Sequence, residues 1–226
     1  MNYEQMSNNK LRLTGTVTER PVYSHEVCGE EFYETKLSVP RLSGQEDVIP
    51  VTLSDRLLAR TEVKPGTKIS ISGQFRSYNK LEGEHSRLLL TAFAREILPA
   101  DDEVNPNTIE ILGYICKPPV YRTTPFKREI CDVLLAVNRA YNKSDYIPCI
   151  MWGRNARFIK DMPIGERLWV TGRVQSRIYT KCLSEDKSEE RVAYEVSVSK
   201  ILVGNKIEEE LQEEKKLLNY SQIFEN

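Results

Sequence analysis

The chain repeats itself. Residues 13–24, LTGTVTERPVYS, align with residues 111–122, ILGYICKPPVYR, so that Gly15, Pro21, Val22 and Tyr23 meet Gly113, Pro119, Val120 and Tyr121 at a shift of 98. The same shift brings Leu37, Val39 and Arg41 onto Leu135, Val137 and Arg139, then Ile49, Pro50 and Arg56 onto Ile147, Pro148 and Arg154. After one inserted residue, at a shift of 99, Gly66, Gly73 and Ser77 meet Gly165, Gly172 and Ser176. A register held over sixty residues is a duplication, and two copies are too few and too long for a solenoid. The chain therefore divides into a first domain over 1–100, an acidic linker over 101–106, a second domain over 107–203 and a C-terminal acidic amphipathic helix or tail over 204–226.

Each copy reads as strands. In the second, TIEILGYI (108–115), EICDVLLAV (129–137), DYIPCIMW (145–152), RLWVTGRVQSRIYT (167–180) and VAYEVSVSKILV (192–203) are β-branched or alternating runs parted by Gly, Pro, Asn and Asp. Only RNARFIKDM (154–162) has the look of a short helix, and it falls between the third and fourth strands. That order predicts an all-β fold with short helices: two tandem OB-folds, each a five-stranded Greek-key barrel that binds a ligand on one strand face and its loops, plus a short C-terminal helix.

Several functions are disfavoured. The five cysteines form no CxxC pair or ligand spacing and read as small core residues; the two histidines, His25 and His85, read as solvated loop residues. KPGTK (64–68) lacks the first glycine and spacing of a phosphate-binding loop and reads as a turn. No catalytic or metal constellation is found, so neither an enzyme nor a cofactor is expected. No run approaches the roughly 18 apolar residues of a membrane span, which points to a cytoplasmic protein.

The stretch YIPCIMWGR (146–154) is apolar on both faces. Ile147, Cys149 and Met151 share one face, Tyr146, Pro148, Ile150 and Trp152 the other, and Arg154 stands at the end. Its twin VIPVTLSDR (48–56) puts Val48, Thr52 and Ser54 where Tyr146, Ile150 and Trp152 stand, a rewriting that a core face would not tolerate. The Ile147 face is thus assigned to the barrel interior and the Tyr146 and Trp152 face to a ligand. On the fourth strand Arg173, Arg177 and Tyr179 alternate on an outer face while Val174 and Ile178 take the inner one. Solvation alone also explains that pattern, as it does for Lys127 and Arg128. Trp169 divides evenly between core or subunit contact and ligand contact. Arg76 and Tyr78 repeat the theme in the first copy. Residues 107–203 hold 16 Lys and Arg against 11 Asp and Glu, whereas residues 1–100 hold 13 of each, so near-neutrality overall hides a basic second domain suited to a polyanion.

These residues resemble the bacterial single-stranded-DNA-binding proteins. The resemblance covers roughly 10–98 and 107–203 and is clearer in the second copy, where the strand with Gly113, LLAVNR (134–139), DYIPCIMWGRNA (145–156) and GERLWVTGRVQSRIY (165–179) follow the family pattern in order. It implies sequence-tolerant binding of single-stranded DNA in replication, recombination or repair, with a nucleoid-associated location. Stacking places fall on Tyr141, Tyr146, Trp152 and Tyr179, with Arg139, Arg154, Arg173, Arg177, Arg76 and Tyr78 as further contacts. The matching places in the first copy, Ser43, Val48, Ser54 and Lys80, are not aromatic. The family's four-barrel assemblies imply a homodimer here, and its acidic tails imply replication or repair partners, although this tail lacks the long linker and places Phe224 two residues from the end. The alternatives are an OB-fold protein for RNA or replication-restart assembly, and a structural protein whose duplicated barrels serve protein contacts.

Overall fold

The structure is a computed structural model that describes residues 8–82, 85–100, 105–184 and 187–213. The first copy forms β1 (Asn9–Val17), β2 (Val22–Val27), β3 (Glu30–Pro40), β4 (Glu46–Ser54), α1 (Asp55–Leu58), β5 (Lys68–Glu82) and β6 (His85–Pro99). The second forms β7 (Asn107–Ile115), β8 (Val120–Thr123), β9 (Glu129–Arg139), β10 (Lys143–Trp152), α2 (Arg154–Ile159), β11 (Arg167–Ser184) and β12 (Lys187–Val203). A last helix, α3, covers 205–213. Linker positions 101–104 and the tail beyond 213, with Leu218 and Phe224, lie outside the described residues.

Each copy is an OB-fold. The order β3-β4-β6-β5-β1 closes on itself because β1 also pairs with β3 at Thr16↔Ser38 and Val17↔Leu37. In the second copy β9-β10-β12-β11-β7 closes through Tyr114↔Ala136 and Ile115↔Leu135. The Greek-key crossing is the parallel pair in each, β4 with β6 and β10 with β12. Five strands therefore make each barrel, as the sequence pattern predicts. The sixth, β2 or β8, is a short ribbon on β3 or β9 that the pattern missed because none of its residues is buried.

Alternation decides what fills the barrels. Ile147, Cys149 and Met151 point inward with essentially no exposure, beside Leu135, Val137, Val174 and Val196. Each such side chain adds about 1.5–3 kcal/mol by leaving water. Closure needs tight coiling at one point of each long hairpin. There the ladder slips, between Ser72/Gly73 and between Thr171/Gly172, and a Cβ on Gly73 or Gly172 would stand 2.1 or 2.2 Å from the carbonyl oxygen of Phe93 or Ser197.

The two barrels share one sheet. β1 pairs antiparallel with β7, and the central pair Leu11↔Ile109 consists of twins under the shift of 98, so a pseudo-two-fold axis passes between them. The hairpins β5–β6 and β11–β12 outrun their barrels as arms, and each reaches the other copy: Ser77 donates its N–H to Asp145, and Ser176 donates its own to Asp47.

Three sequence expectations need correction. Ile178 is 69% exposed, not inward, because it lies on the arm past the barrel, where a two-stranded ribbon has no second layer to cover it. Cys28 is exposed in the β2–β3 turn with φ at +53°, next to Gly29, so it is a turn residue and not a core one; Cys116 is half-buried, and Cys131 and Cys149 are buried. His25 sits on strand β2, not in a loop, stacked on Phe32 at 5.1 Å between ring centroids.

Candidate nucleic-acid interface

Residues paired across a sheet point to the same side, so the register maps the outer face of the second barrel. Trp152 pairs with Ile130; Ile150 pairs with Asp132 and, across the parallel crossing, with Ser197; Ser197 pairs with Arg173, Ala193 with Arg177, and Arg191 with Tyr179. Tyr146, Trp152, Arg173, Arg177 and Tyr179 therefore share one outer face. The rings of Tyr146 and Trp152 are 41% and 37% exposed, and the indole N–H of Trp152 donates to the hydroxyl of Ser197 at 3.1 Å. That bond holds the indole over β12.

The arms turn this face into a groove. A hollow of about 420 Å3 is lined by Tyr78 and Leu88 from the first copy and by Arg139, Lys143 and Tyr146 from the second. Tyr78 and Leu88 also line a larger hollow, about 820 Å3, whose opposite wall holds Tyr179, Lys181, Arg191 and Tyr194. Pro148, Ala193 and Tyr194 carry on into a third hollow of about 360 Å3, with Lys117, Arg122 and Arg177 on its rim. The three share walls and form one track along the junction of the copies, with aromatic side chains at intervals and Lys or Arg in every segment.

The arginines are not equivalent. Arg177 is exposed, 3.8 Å from Glu195 and 5.8 Å from the Tyr179 ring centroid. Arg173 is half-buried, 3.3 Å from Asp47 and donating to Gln175 at 3.1 Å; burial lowers its pKa, Arg41 adds to the effect and Asp47 opposes it. Arg139 is 3.2 Å from Asp145. Arg173 thus bridges the two copies, whereas Arg139 lines the track and pairs within its own copy. Tyr78 donates to Glu34 at 3.3 Å, and burial, reinforced by Glu34, raises its pKa to about 12, so the phenol stays neutral and available for stacking. Tyr141 and Arg154 are not gathered in. Tyr141 is 87% exposed on a left-handed backbone (φ +62°) in the β9–β10 loop, and Arg154 is exposed at the start of α2. Trp169 is buried under α3, packed with Ile207 and Leu211, and so faces neither strand nor solvent.

The sequence reading missed an aromatic set on the first barrel. Phe32, on β3, and Phe93, on β6, meet on its outer face at 5.6 Å between centroids, and the guanidinium of Arg76 lies 3.6 Å from the Phe93 centroid. Phe32 has the parity of Glu34 and Lys36, opposite to the core residues Leu37 and Val39, which was the available signal. Tyr194 was missed too, because its strand reads simply as an alternating run.

Among the described residues no cluster of three or more His, Cys, Asp or Glu side chains is placed to hold a metal ion, and no helix is long and apolar enough to cross a membrane.

Residues 106–203 match the model of the single-strand binding protein family. The second domain is thus similar to that family. Single-stranded DNA-binding protein 1 of Staphylococcus aureus (strain COL) is 34% identical over 80 residues, 32% of this chain and 48% of that protein. A namesake from Lactococcus lactis subsp. lactis (strain IL1403) is 30% identical over 80 residues, 32% of this chain and 53% of that one. The chain thus spans about half the length of the curated relatives it matches. Among solved structures, the wild-type single-stranded DNA binding protein from Thermus aquaticus superposes with a TM-score of 0.64 at 19% identity, covering 87% of this chain and 92% of that one. That likeness speaks to the fold alone, over the 87% of the chain that it covers.

Proposed function

We propose that the chain binds single-stranded DNA without strong sequence preference, in replication, recombination or repair, stacking bases on Tyr146, Trp152, Tyr78 and Tyr179 while Arg177 and its basic neighbours follow the phosphates. The observation that carries this reading is the outer face of the second barrel: half-exposed rings and arginines on one side of one sheet, continued by the arms into a basic track between the copies. Every base has a π face, so such rings bind any sequence, while cations along the groove supply the salt-sensitive part of the affinity. The match of the same residues to the single-strand binding protein family supports it. Within the proposal the protein is cytoplasmic and nucleoid-associated, works as a homodimer of four barrels, and meets replication or repair proteins through its C-terminal tail.

The test is a titration with oligo-dT, followed by tryptophan fluorescence at two salt concentrations. The expected result is quenching, an affinity far above that for duplex, and a fall in affinity with salt of roughly 0.7 log units per log unit of salt for each phosphate neutralised. No binding and no quenching at low salt would reject the proposal. Light scattering of the full chain checks the dimer.

A further inference from the structure

The first barrel departs from the second in side chains but keeps the same chemical inventory, moved by one position. In the second barrel the aromatic is Trp152 on β10, hydrogen-bonded to Ser197 on β12. The twin of Trp152 is Ser54. The residue of β6 that faces β4 as Ser197 faces β10 is Phe93, since Thr52 pairs with Phe93 where its twin Ile150 pairs with Ser197. An aromatic residue and a serine have exchanged strands. The arginine has moved in the same way: Arg173 and Gln175 on β11 correspond under the shift of 99 to Gln74 and Arg76 on β5, and in each pair the guanidinium bonds the amide oxygen, at 3.1 Å in one and 3.0 and 3.3 Å in the other.

Two independent exchanges that each conserve what the face can do are hard to reconcile with a face that only meets water. Ser54 is small, so Phe93 reaches over β4 to Phe32, and the groups line up across the sheet as His25, Phe32, Phe93 and Arg76. We infer that this row is a second stacking platform, on which the first barrel takes up nucleobases of the same single strand, with the guanidinium of Arg76 as its outermost layer over Phe93. Flat guanidinium surfaces accept bases as aromatic rings do, and they bring the charge that a neighbouring phosphate needs. Burial lowers the pKa of Arg76 to about 10, and Arg139 and Arg95 add to this against Asp145 alone, so an incoming phosphate relieves crowded positive charge. Arg139 also lines the hollow with Tyr78 and Tyr146, which connects the platform to the track between the copies.

This inference rests on the proposed single-strand binding, and the experiment separates the two. In the full chain carrying Trp152→Phe, the further change Phe93→Trp places a reporter on the first barrel; Trp169, buried under α3, supplies a constant background. Long oligo-dT should quench the new reporter, with binding followed independently by the anisotropy of a labelled oligonucleotide. Phe93→Leu and Arg76→Ala should each weaken binding of long oligo-dT by about ten-fold, at unchanged circular dichroism. Saturation of binding with no quenching of the Phe93→Trp reporter, while Trp152 quenches in the parent chain, would overturn the platform and leave the proposed function standing. Unchanged affinity in folded Phe93→Leu and Arg76→Ala would also overturn it. Absence of binding by the parent chain would reject both.

Discussion

The carboxylate of Asp47, on the first barrel, accepts the backbone N–H of Ser176, on the arm of the second, at 2.6 Å and its hydroxyl at 3.0 Å. Arg41 grips the same carboxylate through Nε at 2.7 Å and Nη2 at 2.5 Å, and Nη2 also donates to the carbonyl of Ser176. Across the pseudo-two-fold axis Asp145 accepts the N–H of Ser77 at 2.8 Å, with Arg139 beside it. Both carboxylates are buried. A charge so placed is tolerated only when its hydrogen bonds are complete, so each lock fixes the position of an arm and with it the width of the track.

Replacing Asp47 by Ala should therefore cost about 3–5 kcal/mol of stability, because Arg41 and the Ser176 N–H lose their common acceptor. Burial pushes the Asp47 carboxyl up, but the donors Arg41 and Ser176 outweigh it and leave its pKa below the ordinary 3.8. With the folded value below the unfolded one, the contribution is complete above the ordinary carboxylate range and is lost as pH falls below about 3.8 through the folded value. Thermal unfolding from pH 5 downward should show a loss of stability in that acid window for the parent chain, and a smaller one for Asp47→Asn. Equal slopes would show that the lock does not titrate with folding.

The two tryptophans should report different things. Trp152 is half-exposed on the outer face; Trp169 is sealed by Ile207 and Leu211 of α3. Trp152→Phe should abolish most of the oligo-dT quenching, whereas Trp169→Phe should retain it. Trp152→Ala should lose about 1–3 kcal/mol of single-strand affinity with little change in melting temperature. Trp169→Ala should instead lose about 3–5 kcal/mol of folding stability through the cavity it leaves.

How much of this was readable beforehand follows from which forces act locally. The duplication follows from residues matched at one shift, and the five barrel strands and the inward set Ile147, Cys149 and Met151 follow from period-two alternation, which depends only on neighbours along one strand. The serine partners of Asp47 and Asp145 were not readable, because each lies over 60 residues away and meets its carboxylate only when the arms cross. Phe93 was missed for a related reason: twin-by-twin comparison asks whether position 54 is aromatic, while the sheet asks only whether that patch of face is. Ile178 shows the converse failure, since alternation assigns a side but not whether anything stands there to cover it.

Arg177 and Arg173 share a strand face but differ in what they can release to a phosphate. Arg177 is exposed and only loosely paired with Glu195 at 3.8 Å, whereas Arg173 is half-buried between Asp47 and Gln175. Arg177→Ala should reduce the salt slope of oligo-dT binding by about 0.7, the loss of one neutralised phosphate, at unchanged stability. Arg173→Ala should register mainly as a lower melting temperature. Fluorescence titrations at four or five salt concentrations, with a melt of each variant, make the comparison, and an unchanged slope in Arg177→Ala would remove that residue from the phosphate contacts.

Tyr78 and Tyr146 come from different copies yet line the same hollow of about 420 Å3, and neither ring has a stacking partner among the close ring pairs of the first or second barrel. If one stretch of strand runs between them, their contributions to binding are coupled through it, and a double-mutant cycle measures the coupling. Tyr78→Ala and Tyr146→Ala should each weaken oligo-dT binding by about 1–3 kcal/mol. The double variant should then differ from the sum by about 0.5 kcal/mol or more, because removing one ring frees the strand from the other. Tyr78→Phe serves as the control: it keeps the ring but releases Glu34, and near-normal affinity would assign the effect to stacking. Strict additivity would mean that the strand passes the two tyrosines at separate places, and the track would have to be redrawn around the larger hollow beside Tyr179.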